Sequence, residues 1–123
     1  MAYERLVEKL TKENLWLYIL TMLREKPMYG YEIAGKLRTE FNIPIATITA
    51  YVVLYKMERE GLVERVTEHP EAGGTRVNVR KVYYRQTDKG RELLEKGIEY
   101  LRSRLQLLEG ARQSGSGEPE EKE

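Results

Sequence analysis

Apolar residues recur along this chain first at helical and then at strand spacing, and the change of period divides it. Leu6, Val7 and Leu10 make a short amphipathic lead-in. Residues 11–26 follow as a predicted helix, opened by Thr11 as its N-cap with Glu13 in the first turn. Trp16, Ile19, Leu20 and Leu23 form its apolar stripe, and Leu15 and Met22 a second edge. Lys26-Pro27 closes it, because a residue before proline is driven out of the α region. A second helix begins near Gly30, turns Tyr31, Ile33, Ala34 and Leu37 inward, and stops near Phe41 before the breaker Asn42-Ile43-Pro44. A third covers residues 46–60 and ends on Gly61 at the C′ position. Ile48, Tyr51, Val52, Leu54, Tyr55 and Met57 leave it apolar over much of its circumference, and Thr49, Lys56 and Glu60 share one narrow polar stripe.

The period then shortens. Residues 62–68 and 77–85 alternate in the manner of strands, and Pro70-Glu71-Ala72-Gly73-Gly74-Thr75 between them forms turns, so the pair reads as a hairpin. Thr87 caps a last helix that extends to about Glu109, with Leu94, Ile98, Leu101, Leu105 and Leu108 at heptad spacing. Three helices, a hairpin and a long helix with its own seam predict a mainly α fold, a winged helix-turn-helix with a C-terminal dimerisation helix. The expected division is residues 1–86 for the winged domain, 87–110 for the dimerisation helix and 111–123 for a disordered tail without apolar anchors.

Charge refines this picture. The chain has 123 residues and a net charge of only +1. Within residues 63–91, however, seven bases face four acids, while residues 111–123 carry two bases against four acids. A basic patch near the hairpin is the expectation. Cysteine is absent, the N-terminus lacks the layout of a signal peptide, and no apolar run is long enough to span a membrane, so a cytoplasmic address is expected. His69 has no cysteine or carboxylate at ligand spacing, so neither metal nor cofactor is expected. Without a thiol nucleophile, a phosphate-binding glycine loop or a paired-acid motif, enzymatic chemistry has no footing.

Duplex DNA is the partner these elements suit. The third helix, about 22 Å long, fits a major groove, and a hairpin tip beside it reaches backbone phosphates. Thr47 and Thr49 sit near its N-terminus, where recognition helices meet base edges, although local hydrogen bonding also explains them. Lys56, Arg76, Arg80, Lys81 and Arg85 are the candidates for phosphate contact. Tyr51 and Tyr55 are assigned to the core, with DNA contact as the alternative. No Asn or Gln lies on the third helix, which leaves methyl contacts, threonines, DNA shape and the wing to carry readout. The other class of function is a winged-helix protein-interaction module that does not read DNA.

Three blocks also resemble a known family, the PadR-like transcriptional regulators. They are Tyr29-Gly30-Tyr31-Glu32-Ile33; then Thr49, Tyr51, Leu54, Met57-Glu58 and Glu60-Gly61-Leu62-Val63; then the basic-aromatic run Arg80-Lys81-Val82-Tyr83-Tyr84-Arg85-Gln86 with Thr87-Asp88-Lys89-Gly90. Val52 stands where the family often has proline, and Gln86 where it has an aliphatic residue. The resemblance implies a repressor acting as a homodimer, of the small subfamily in which one C-terminal helix makes the dimer. It also implies a flat aromatic effector held between dimer helices, for which Trp16 is the candidate, with a place in the core as its alternative.

Overall fold

The computed structural model describes residues 1–66 and 82–117, with side chains as far as residue 110. In chain order the elements are α1 (Ala2–Leu10), a 3-10 turn (Lys12–Asn14), α2 (Leu15–Met22), β1 (Met28–Tyr29), α3 (Gly30–Thr39), α4 (Thr47–Arg59), β2 (Val63–Val66), β3 (Tyr83–Gln86) and α5 (Asp88–Gly117). The three strands form an antiparallel sheet in the order β1-β3-β2. β1, only two residues long, is too short for any periodicity to announce. The expected hairpin tip and the outer parts of both predicted strands lie outside the described residues.

The expected helix over residues 11–26 divides instead. Thr11 closes α1 rather than opening α2: its Oγ1 donates to the Val7 carbonyl at 2.6 Å and its amide to that of Glu8. Asn14 leaves helical geometry at φ −138° and donates its Nδ2 back to the Lys9 carbonyl. A polar side chain that bonds the preceding backbone competes with the helix, and here it wins. The Tyr18 hydroxyl, donating to the Leu10 carbonyl, ties α1 to α2, and burial pushes its pKa up.

The core lies where α2, α3 and α4 meet. Ile19, Leu20, Ile33, Ala34, Leu37, Ala50 and Leu54 are fully buried, and Val63, Tyr84 and Leu94 close the layer from the sheet and α5. Burial also raises the pKa of Tyr84, with the Arg65 charge opposing it. Gln86 explains its departure from an aliphatic residue: its Nε2 donates at 2.8 Å to the Leu20 carbonyl, near the end of α2, where no helical amide is left to donate to that oxygen.

α4 ends on Gly61 as expected, at φ +80°, with the Leu62 amide reaching the Met57 carbonyl and the Gly61 amide that of Glu58. These are the two bonds of a Schellman stop. Its last carbonyls meet the start of α5. Thr87 Oγ1 donates to the Gly61 carbonyl at 2.6 Å, the Thr87 amide to Leu62 and Lys89 Nζ to Glu60, while Thr87 Oγ1 also accepts the Gly90 amide as the N-cap of α5. A Cβ on Gly90 would lie 2.2 Å from the Leu62 carbonyl oxygen, so only glycine permits this approach. Helix α5 then runs to Gly117, beyond the end expected near Glu109.

Candidate nucleic-acid interface

Helix α4 carries two apolar stripes. Ala50, Leu54 and Met57 face the core and are buried. On the opposite side, at intervals of four, three and four residues, stand Ile48, Val52, Tyr55 and Arg59. Ile48 is 69% exposed, Tyr55 54% and Val52 46%. The assignment of Tyr55 to the core is therefore corrected, and Ile48 and Val52 need no cover from the domain itself. Apolar character alone does not turn a side chain inward here, because Ala50, Leu54 and Met57 complete the inner stripe without them. Arg59 donates to the Tyr55 hydroxyl at 3.2 Å and lies 5.6 Å from its ring centroid, so the two side chains hold each other at the far end of the stripe.

The shoulders of α4 differ. Tyr51 leans toward α3, where its ring fills the space a Cβ on Gly30 would take, 2.4 Å from such an atom, and it stays partly exposed. This is the structural reason for glycine in the Tyr29-Gly30-Tyr31 run. Thr47 Oγ1 accepts from Arg38 Nη1 at 3.3 Å, and the same nitrogen donates to the Ile45 carbonyl at 3.1 Å. Arg38, missed in the sequence, thus holds the turn that leads into α4, while Thr47 is occupied by that local bonding. No side chain caps the first turn of α4. Thr49 and Lys56 are exposed on the other shoulder, away from the stripe's centre, and Lys56 has no ion-pair partner among the described residues.

Beside α4, the sheet presents its cations already paired. Arg85, directly opposite Glu64 in the register, donates to its carboxylate from Nε at 3.0 Å and Nη2 at 2.7 Å. Arg65 Nε reaches both oxygens of Glu58, tying β2 to α4. Both pairs are solvent-exposed, and such pairs contribute only about 0.2–1 kcal/mol. Arg76, Arg80, Lys81 and His69 lie outside the described residues.

Trp16 is half-buried and packs on the core, with its Nε1 donating to Asn14 Oδ1 at 3.0 Å. A Cβ on Gly97 would stand 3.0 Å from the ring, so this glycine lets α5 lie against the indole. The ring also lines a cleft of about 300 Å³ with Val53, Lys56, Met57, Leu62 and Leu93. The expected seam of α5 does not stay together. Leu94, 1% exposed, belongs to the core of its own protomer, and Ile98 packs against that core; Leu101, Leu105 and Leu108 are exposed. Leu94 is thereby corrected from interface to core, its heptad position being used by the domain. The lead-in also exposes apolar side chains, Tyr3, Leu6, Val7 and Leu10 along α1.

A helix-turn-helix of α3 and α4, packed on α2 and flanked by the antiparallel β2–β3 pair and a long helix, defines a winged-helix protein of the transcription-regulator class. The profile of the transcriptional regulator PadR-like family matches residues 19–96, and the chain belongs to that family. It is 27% identical to the crystal structure of a PadR family transcription regulator from Clostridium difficile, with a TM-score of 0.66, over 79% of this chain and 96% of that one. A PadR family regulator from Eggerthella lenta is also 27% identical, with a TM-score of 0.63, over 92% and 95% of the two chains. An uncharacterized protein from Lysinibacillus sphaericus is 33% identical over 78 residues, 62% of this chain and 67% of that protein. The family is one of regulators, not of enzymes. Among the described residues, no helix is long and apolar enough to cross a membrane.

Proposed function

We propose that this protein is a sequence-specific DNA-binding repressor that acts as a homodimer, with α4 in the major groove and the hairpin on the adjacent backbone. The observation that carries the reading is the outer face of α4, a helix of 13 residues whose inner stripe is buried and whose outer stripe is offered to a partner. Its charge supports the assignment. Lys56 and Arg59 are exposed beside that face, whereas Glu58 is engaged by Arg65. Thr49 and the open first turn of α4 suit base edges and phosphate; Arg85 suits the backbone, as do the bases Arg76, Arg80 and Lys81 that the sequence carries between β2 and β3. For Thr47 the bond to Arg38 favours a positioning role over direct contact.

Dimerisation rests on the outer half of α5. Leu101, Leu105 and Leu108 leave an apolar stripe in water that a second α5 covers, and the exposed apolar side of α1 is available to extend the same interface. A flat aromatic effector fits the cleft at Trp16, which adjoins α4 through Val53 and Met57. The deciding experiment is duplex binding across salt. A dimer making about six phosphate contacts loses roughly a thousandfold in affinity between about 50 and 200 mM salt. A flat response would overturn the DNA reading and leave the exposed stripe of α4 to a protein partner.

A further inference from the structure

Which feature of the duplex α4 reads follows from what its outer face lacks. Resting on the DNA-binding reading, we infer that the protein reads thymine C5-methyl groups through Ile48 and Val52, and so selects operators with A·T pairs beneath the first two turns of α4. Base edges are met by the N-terminal part of a recognition helix. In that part of α4 the exposed outer side chains are aliphatic, Ile48 at 69% and Val52 at 46%. Residues 47–59 include no Asn or Gln. Arg59, the bidentate donor of the stripe, stands at the last residue of the helix and is engaged with Tyr55.

Among the major-groove edges of the four bases, the thymine methyl is the apolar feature. An aliphatic side chain pressed on it removes apolar surface from water on both sides. The same side chain over guanine or cytosine strips water from N7, O6 or N4 and returns no hydrogen bond. Discrimination therefore comes from both attraction and penalty. Ile48 and Val52 are four residues apart, about 6 Å along the helix axis, close to the rise of two base steps, so neighbouring thymines in each half-site serve both.

The test begins by selecting bound duplexes from a random pool with the full-length protein. In the best duplex, each thymidine is then replaced singly by deoxyuridine, which removes the methyl and keeps every pairing and groove hydrogen-bonding group. The expected result is a loss of about fourfold at two or so positions per half-site. In V52A or I48A, one of those losses disappears while binding elsewhere in the site responds as in the parent. A melting curve for each variant, expected to match the parent, separates readout from folding. A well-defined selected site that tolerates deoxyuridine everywhere within twofold overturns the methyl inference and leaves DNA binding standing. Failure to enrich any duplex overturns both.

Discussion

Helices α4 and α5 each bear more apolar side chains than their own domain covers, but they divide the surplus differently. Helix α4 divides it around its circumference: Ala50, Leu54 and Met57 go to the core, and Ile48, Val52 and Tyr55 go to solvent over the same length of helix. Helix α5 divides it along its axis: Leu94 and Ile98 are used by the domain, and Leu101, Leu105 and Leu108 lie beyond its edge. The first geometry suits a partner that runs alongside the helix while the domain holds its other side, as a groove does. The second suits a partner that joins a free-standing end, as a second copy does. The same residue types are thus committed to the core or left to solvent according to where the fold places them.

Five substitutions break or sharpen that contrast. The largest effect is expected from Leu105→Glu. In a two-fold interface the loss is felt twice, so about 3–6 kcal/mol of assembly disappears. Sedimentation should show a folded monomer; a persistent dimer would place the interface elsewhere, α1 being next in line. On the inner stripe, Leu54→Ala should cost about 2–5 kcal/mol of stability by denaturant melting, whereas Val52→Ala on the same helix should stay within about 0.5 kcal/mol. Equal costs would abolish the distinction between the two faces. At the join of the two helices, Gly90→Ala forces a methyl toward the Leu62 carbonyl and should destabilise by about 1–3 kcal/mol. The smallest change is expected from Arg85→Gln. Folding should barely respond, while the slope of log affinity against log salt should fall by about 0.9 for each phosphate contact removed. An unchanged slope would leave Arg85 to its pairing with Glu64.

Much of this was legible in the sequence, for identifiable reasons. The limits of α3, α4 and α5's start were set by signals that act locally, namely Pro44, the left-handed Gly61 and the hydroxyl of Thr87. The break at Asn14 was not, because Thr11 makes an equally good opening or closing residue, and only the bond to Val7 decides between them. Strand β1 was invisible because its two residues are extended only by pairing with Tyr83 and Tyr84. The site was half legible. Its location on α4 followed from the order of elements, but the orientation of the helix did not, since six apolar residues offer two stripes. Four and three residues apart, Ala50, Leu54 and Met57 were the signal that a full inner stripe existed without Tyr55. The role of Arg38 rests on a turn between helices, which periodicity does not describe.

The bonds from Thr87 and Lys89 to the carbonyls of residues 60–62 make the corner between α4 and α5 stiff, and a stiff corner is a crank. Its arms are unequal, about 45 Å for the 30 residues of α5 and about 20 Å for the 13 of α4. If the two arms turn together through about 5°, the far end of α5 sweeps about 4 Å while the first turn of α4 moves about 2 Å. A base-pair step is about 3.4 Å, so in the proposed dimer on DNA the gearing would convert a repacking at the far end of α5 into roughly half a step of misregister at the bases. Two such cranks joined at their long arms would set the half-site spacing by leverage, and anything that shifts the joint would detune both at once.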